Sequence, residues 1–327
     1  MQHIEEIDFL KGFLIVLVIS FHLVYIGDLH PYAKRVVYTF HMPGFLFISG
    51  YLMNIHRRWM AFMRTMLHYA VPYLLMEGCY IMMASVLPIR EHLDSLTVGV
   101  FFDRLLLHPL GPYWYLQTLI VCGMAYAAIS RLHFLKPVSR FVLLGIIYFL
   151  ISEWAGILSF ACSMYFLAGV MLRYSGLSFT DLFQSSSVAI LAFILLAIHP
   201  QNLQADTSGG VLMTMLVMSA ALFVNGCIGV RPRRLISFLG RRTMPLFLFS
   251  PIFTFLCKPL VPFFLFDHTG LTFLLMSLGI CILGSLGVEW LMDRIGLSRY
   301  FYLKVFIRDN PRLTKIGGFG DQIRRFW

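Results

Sequence analysis

Residues 8–22 read DFLKGFLIVLVISFH. Such a run is at home in lipid only as a helix, because lipid offers the backbone no hydrogen-bond partner outside its own segment. Lys11 and His22 are eleven residues apart, close to three turns at ~3.6 residues per turn. They therefore share one face, separated by about 16 Å along the axis at ~1.5 Å per residue. Asp8, Lys11, Ile15, Val18 and His22 complete the stripe, with the i, i+3, i+4 spacing of a single helix face. Ionisable groups inside a span are costly and mark function by default. The arrangement suits a tunnel that grips a charged molecule at one end and carries out proton chemistry at the other. The plain alternative is a snorkelling lysine and a histidine hydrogen-bonded for packing.

The rest of the chain has the same character. Of 327 residues, 59% are hydrophobic and only 13% charged, and the mean hydropathy is +0.78. Soluble domains sit near ~45–50% apolar and ~25% charged, so a cytosolic enzyme, a nucleic-acid-binding domain and a disordered chain are all excluded. Apolar runs fall near 9–27, 36–53, 66–87, 113–130, 141–157, 159–173, 187–200, 210–229, 243–266 and 270–291. The expected fold is all-α: a polytopic membrane helix bundle of about ten transmembrane helices, forming one domain over residues 1–327. The fifth and sixth runs are short, and the seventh is too short to span without tilt or thinning.

The net charge of +10 acquires its meaning from where the cations lie. With the N-terminus in the cytoplasm, only Lys34, Arg35, Arg90, Arg104 and Lys258 fall on the outer side, leaving 21 of the 26 basic residues on the inner one. That bias predicts both termini in the cytoplasm and contact with anionic lipid. Residues 292–327 form a basic tail whose aromatic and cationic stretch 297–308 reads as an interfacial helix. The leader before the first span is acidic (Glu5, Glu6, Asp8) and no A-x-A site follows, unlike a cleaved signal peptide. The six cysteines are isolated in apolar surroundings, with no disulfide framework and no metal-ligand spacing.

A second histidine, His41, opens the stretch 41–52, HMPGFLFISGYL. Pro43 cannot continue the helical hydrogen-bond ladder, so His41 is expected at a kink or at the start of a half-helix. Gly44, Ser49 and Gly50 are small enough for close approach of a neighbouring helix.

Together, the Asp-x-x-Lys-x10-His helix and the His-Met-Pro-x-Phe-x-Phe-Ile-Ser-Gly-Tyr-Leu segment resemble the acyltransferase-3 family of integral-membrane acyltransferases, including its fucose 4-O-acetyltransferase-like group. Pro112–Leu119 (PYWYLQTL) and Leu239–Phe247 (LGRRTMPLF) agree with it. The resemblance implies about ten helices, an acyl-CoA co-substrate reached from the cytoplasm with no tightly bound cofactor, and a sugar or glycan acceptor. It also implies a multi-pass protein of the bacterial inner membrane. It places Lys11 at the family's basic position, His22 at its essential histidine and His41 at its second-helix histidine. Its basic segment before Leu-x-x-Pro-Tyr falls near Arg64, sharing that role with Arg57 and Arg58. Where the late segment often ends in histidine, this chain has Ser250.

Acyl transfer from a thioester needs an anchor for the CoA phosphates, which Lys11, Arg57, Arg58 and Arg64 suit by charge. It also needs a base, which a neutral imidazole supplies near pH 7. His22 is expected as that base and His41 as an orienting or oxyanion partner; a covalent intermediate on histidine or Ser49 is the other route. Trp114, Tyr115 and Gln117 begin the fourth span, either as an aromatic belt or as a platform for the sugar. Loop 88–112 meets the acceptor or is simply solvated. Glu153 is a lone carboxylate between two short spans. The rival classes are a secondary transporter, expected to show inverted repeats that this sequence lacks, and a non-catalytic component of polysaccharide assembly.

Overall fold

The computed structural model describes residues 5–53, 59–87 and 92–302. Among these residues the secondary structure is helical, with no strand. The chain begins with α1 (Glu5–His22), α2 (Val24–Leu29), α3 (Pro31–Leu52), α4 (Trp59–Val86) and α5 (Val98–Leu106). It continues through α6 (Trp114–Ile129), α7 (Pro137–Ala155), α8 (Phe160–Ser175), α9 (Phe179–Leu182) and α10 (Ser187–Ala197). The last helices are α11 (Ser208–Cys227), α12 (Val230–Gly240), α13 (Thr243–Leu256), α14 (Leu271–Arg294) and α15 (Ser298–Phe301).

Every apolar run of the sequence holds helix. Among the described residues, four helices are long and apolar enough to cross a bilayer by length and composition: α4, α7, α11 and α14. A fifth is gained if α13 and the 3-10 helix Lys258–Phe264, bent by 57° at their junction, form one broken span. At 11 residues, α10 extends only about 16 Å at ~1.5 Å per residue, well short of a ~30 Å hydrocarbon core. The first run divides at Leu23, whose φ of −68° and ψ of 106° leave the helical region directly after His22. By contrast α3 runs through Pro43 without a break, so His41 lies within a helix and not at the start of one. Cys122, Cys162, Cys257 and Cys281 are buried as small apolar residues, whereas Cys79 and Cys227 are exposed. Of the stretch 297–308, residues 297–302 lie within the described residues, with α15 over Ser298–Phe301.

The helices group into two compact units, one built from residues 5–48 and 176–295, the other from 49–175 and 296–302. In the first, α1 packs along α12 and also meets α11, α13 and α14. Two glycines allow the α1–α12 approach. A Cβ on Gly12 would fall inside the Ile236 carbonyl, and one on Gly240 would fall inside the carbonyl of Asp8. Gly44 of α3 likewise faces the side chains of Leu14 and Met218. Asp267 starts α14 by accepting the N–H groups of Thr269 and Thr272 and both of their hydroxyls. These donors, the Thr269 hydroxyl foremost, hold its carboxyl well below the usual carboxylate range.

In the second unit α4 packs on α5 and α6, while α7 and α8 pack on each other and on α6. Gly50 lies directly against the backbone of Phe166 and Val170, so α3 and α8 cross there through a residue without a side chain. The fully buried Glu77 accepts the N–H of Leu110 at 2.6 Å and so fixes the turn that delivers α6.

Gly12→Ala and Gly240→Ala are each expected to destabilise the protein, at about 1–3 kcal/mol for an overpacked contact. Gly287→Ala on α14, where an added Cβ meets nothing, is expected to be neutral or stabilising by up to ~1 kcal/mol of helix propensity. Thermal unfolding in detergent of the three variants checks the contrast.

Candidate active site

Helix α1 ends on His22, and its Nδ1 lies 2.7 Å from the carbonyl of Val18, one turn back. His41, in the middle of α3 and 4% exposed, repeats the device: its Nδ1 lies 2.7 Å from the Val37 carbonyl. A carbonyl oxygen can only accept, so in both neutral imidazoles Nδ1 carries the hydrogen. Each Nε2 is therefore left as a lone pair, the form a base requires. The tautomer follows from this hydrogen bonding and not from an observed proton.

The two histidines are brought together around a third ring. The Tyr38 centroid lies 6.1 Å from that of His22 and 4.9 Å from that of His41. The Tyr38 hydroxyl donates to the carbonyl of Phe21 at 3.2 Å. Lys34 lies 5.9 Å from the same ring and 3.9 Å from the Asp28 carboxylate. Sequence reading missed Tyr38 and treated Lys34 only as a cation outside the spans. The signal was present in the spacing, because Lys34, Tyr38 and His41 follow i, i+4, i+7 on one helix face.

Toward the other end of α1, Lys11 is enclosed (3% exposed), and its ammonium pairs with Asp8 at 3.1 Å. Arg241, with 43% of its side chain exposed, approaches the other oxygen of Asp8 at 3.8 Å. The three groups together carry one net positive charge, and Arg241 is the outward member. Next to them Arg242 donates to Glu289 at 2.6 Å. The basic motif at 239–247 thus ties α12 and α13 to α1 and α14 through ion pairs. Asp8 appeared in the sequence in a helix stripe, in the acidic leader and in the Asp-x-x-Lys motif, without an assigned partner, and Glu289 gave no signal beyond being a carboxylate near the end of an apolar run.

The remaining sequence candidates belong to the second unit. Tyr115 is buried, and its hydroxyl shares a 2.7 Å hydrogen bond with Ser49. Gln117 donates to the carbonyls of Leu106 and Leu107 at 2.8 and 3.2 Å, closing the C-terminal end of α5. Trp114 is half-buried at the first residue of α6, and Arg64 is half-buried on α4. Glu153 is exposed near the end of α7. Arg57 and Arg58 lie outside the described residues. Among the described residues no three His, Cys, Asp or Glu side chains form a metal-binding group.

The described residues thus form a helical protein with membrane-length apolar helices and two imidazoles anchored to carbonyls. The chain belongs to the acyltransferase-3 family: the family profile described as an acyltransferase domain matches residues 4–291. It is also similar to nodulation protein NolL of Sinorhizobium fredii (strain NBRC 101917 / NGR234), at 34% identity over 124 residues. That alignment covers 35% of this chain and 33% of the relative. No solved structure matches.

The tautomers are directly observable. In protein carrying 15N-labelled histidine, both neutral side chains are expected to give the Nδ1–H pattern. An Nε2–H pattern for His22 would contradict the site as described.

Proposed function

We propose that the chain is a membrane O-acyltransferase that moves an acyl group, acetyl in the simplest case, from cytoplasmic acyl-CoA to a hydroxyl of a cell-envelope sugar or polysaccharide. The proposed setting is the bacterial inner membrane, with both termini in the cytoplasm as the bias of the cations suggests. The observation that carries this reading is the pair of Nδ1–H anchors, which present two basic nitrogens beside one tyrosine. Membership of the acyltransferase-3 family supplies the reaction class.

In this mechanism His22 Nε2 accepts the proton of the acceptor hydroxyl as the oxygen attacks the thioester carbonyl carbon. A C–O bond forms, the C–S bond breaks, and the CoA thiolate leaves and takes up the proton held by the imidazolium. His41 has no N–H left for an oxyanion while neutral, so its role is to orient the acceptor by accepting a second hydrogen bond. At the other end of α1, the Asp8–Lys11–Arg241 cluster offers net positive charge to the donor's phosphates, with Arg241 outermost. The ~16 Å between Lys11 and His22 on a continuous helix is comparable to an extended pantetheine arm. Arg57, Arg58 and Arg64 are proposed as further cations for the donor. Trp114, Tyr115, Gln117 and Glu153 are retained on the acceptor side, with Tyr115 and Gln117 also having the structural bonds described above.

Membranes given radiolabelled acetyl-CoA test the proposal. His22→Asn keeps a donor near the Nδ1 position and removes the basic nitrogen. It is expected to cut label transfer into glycan by about 10²–10⁴-fold, the usual worth of a general base, with protein level and thermal unfolding unchanged. Undiminished transfer would remove His22 from the chemistry, and substrate movement without acylation would point to a transporter.

A further inference from the structure

A cavity of about 480 Å³ lies within the second unit, among α6, α7, α8 and the turn between α6 and α7. Its polar wall is Arg131, His133 and Arg140, and its apolar wall includes Tyr126, Phe141 and Leu144. Among the described residues no carboxylate comes within ion-pair distance of either arginine. Both guanidinium groups are held in place by backbone. Arg131 Nη1 donates to the Ala127 carbonyl at 2.9 Å. Arg140 donates through Nε to Leu132 at 3.0 Å and through Nη1 to Ser130 at 3.4 Å. These bonds offset the negative end of α6 and leave the Nη2 group of each arginine for another acceptor. Pro137, the first residue of α7, is part of the wall. Pro137 has no N–H, so of the first turn only the Val138 and Ser139 N–H groups, beside the cavity wall, are without an intrahelical partner, and the positive end of the helix favours an anion.

The surroundings narrow the class of anion. The Arg131 guanidinium stacks 4.1 Å over the ring of Trp59, a residue type that favours the headgroup level of a bilayer. Phe134, in the turn itself, is 81% exposed. From the cavity mouth, Val138, Val142, Ile146 and Phe149 follow one another down the exposed side of α7 at helical spacing. A soluble phosphate ligand has no use for that apolar track, whereas acyl chains do.

We propose that this cavity binds the phosphate of an anionic phospholipid, with Arg131, Arg140 and the start of α7 at the headgroup and the α7 stripe along the chains. The test of this site does not depend on the acyl-transfer chemistry. Full-length protein in neutral detergent would be titrated with phosphatidylglycerol, phosphatidylcholine or coenzyme A, and bound species counted by native mass spectrometry. Phosphatidylglycerol is expected to bind at roughly five-fold lower concentration than phosphatidylcholine, in line with the attraction of single basic residues to anionic lipid. His133→Glu, which adds a carboxylate at the wall without touching a helix-capping bond, is expected to erase that preference. The double variant Arg131→Gln, Arg140→Gln, whose side chains still donate hydrogen bonds, is expected to do the same at an unchanged melting temperature. Equal binding of the two lipids, or a preference that survives in either folded variant, would overturn the proposal. Coenzyme A binding that is lost in these variants while phosphatidylglycerol binding persists would overturn it in favour of a nucleotide site.

Discussion

The first unit is organised around one contact, the crossing of α1 and α12 at Gly12 and Gly240. The backbones meet so closely there that neither position has room for a methyl group. Close approach of this kind is how helices associate in lipid, where burial of apolar surface gives no advantage over the lipid itself. The crossing also encloses the Asp8–Lys11 pair and brings Arg241 to the same carboxylate. Removing one member of a buried pair costs about 3–5 kcal/mol, because the other is left uncompensated. The glycines therefore fix the register of the two helices, and the contact of Arg241 with Asp8 at 3.8 Å matches it. Since α1 is continuous from Glu5 to His22, a register fixed at Asp8 also fixes the height and facing of His22.

Much of the fold was legible because lipid leaves the backbone few options. Each apolar run predicted a helix and holds one. What composition could not convey was which helices are long enough to span. The run 9–27 carries no glycine or proline at Leu23 to announce its break. The run 243–266 conceals a bend at Cys257, although Pro259 and Pro262 nearby were its signal. Residues 230–238 lie between two apolar runs and enter the sequence reading only through the charge of their arginines. The packed residues Ile236, Leu239 and Gly240 of α12 follow i, i+3, i+4, a short pattern overshadowed by the charge around it. At Pro43 the start of a half-helix is not realised, since α3 passes through it.

The site was legible to the extent that chemistry stands out against an apolar background. His22 and His41 were conspicuous as imidazoles in apolar segments. Tyr38 was not, because tyrosine is common in such sequences and its value here comes from lying beside both rings. Glu77 and Glu289 went unnoticed because each partner, the Leu110 N–H and Arg242, is distant in sequence. Gln117, singled out for its neighbours in an aromatic motif, turns out to close the end of α5. The exposed position of Glu153 leaves it accessible without a structural partner among the hydrogen bonds of α7.

Fold and chemistry meet in α1, which carries charge at one end and a basic nitrogen at the other. The proposed reaction passes directly from thioester to hydroxyl and leaves nothing on the protein. The measurement closest to that claim is a single turnover of acyl-labelled acetyl-CoA by the purified full-length chain, with and without a glycan acceptor extract. Release of free CoA that requires the acceptor, with all label on glycan and none on protein, is the predicted result. Stoichiometric label retained on the chain in the absence of acceptor would contradict it.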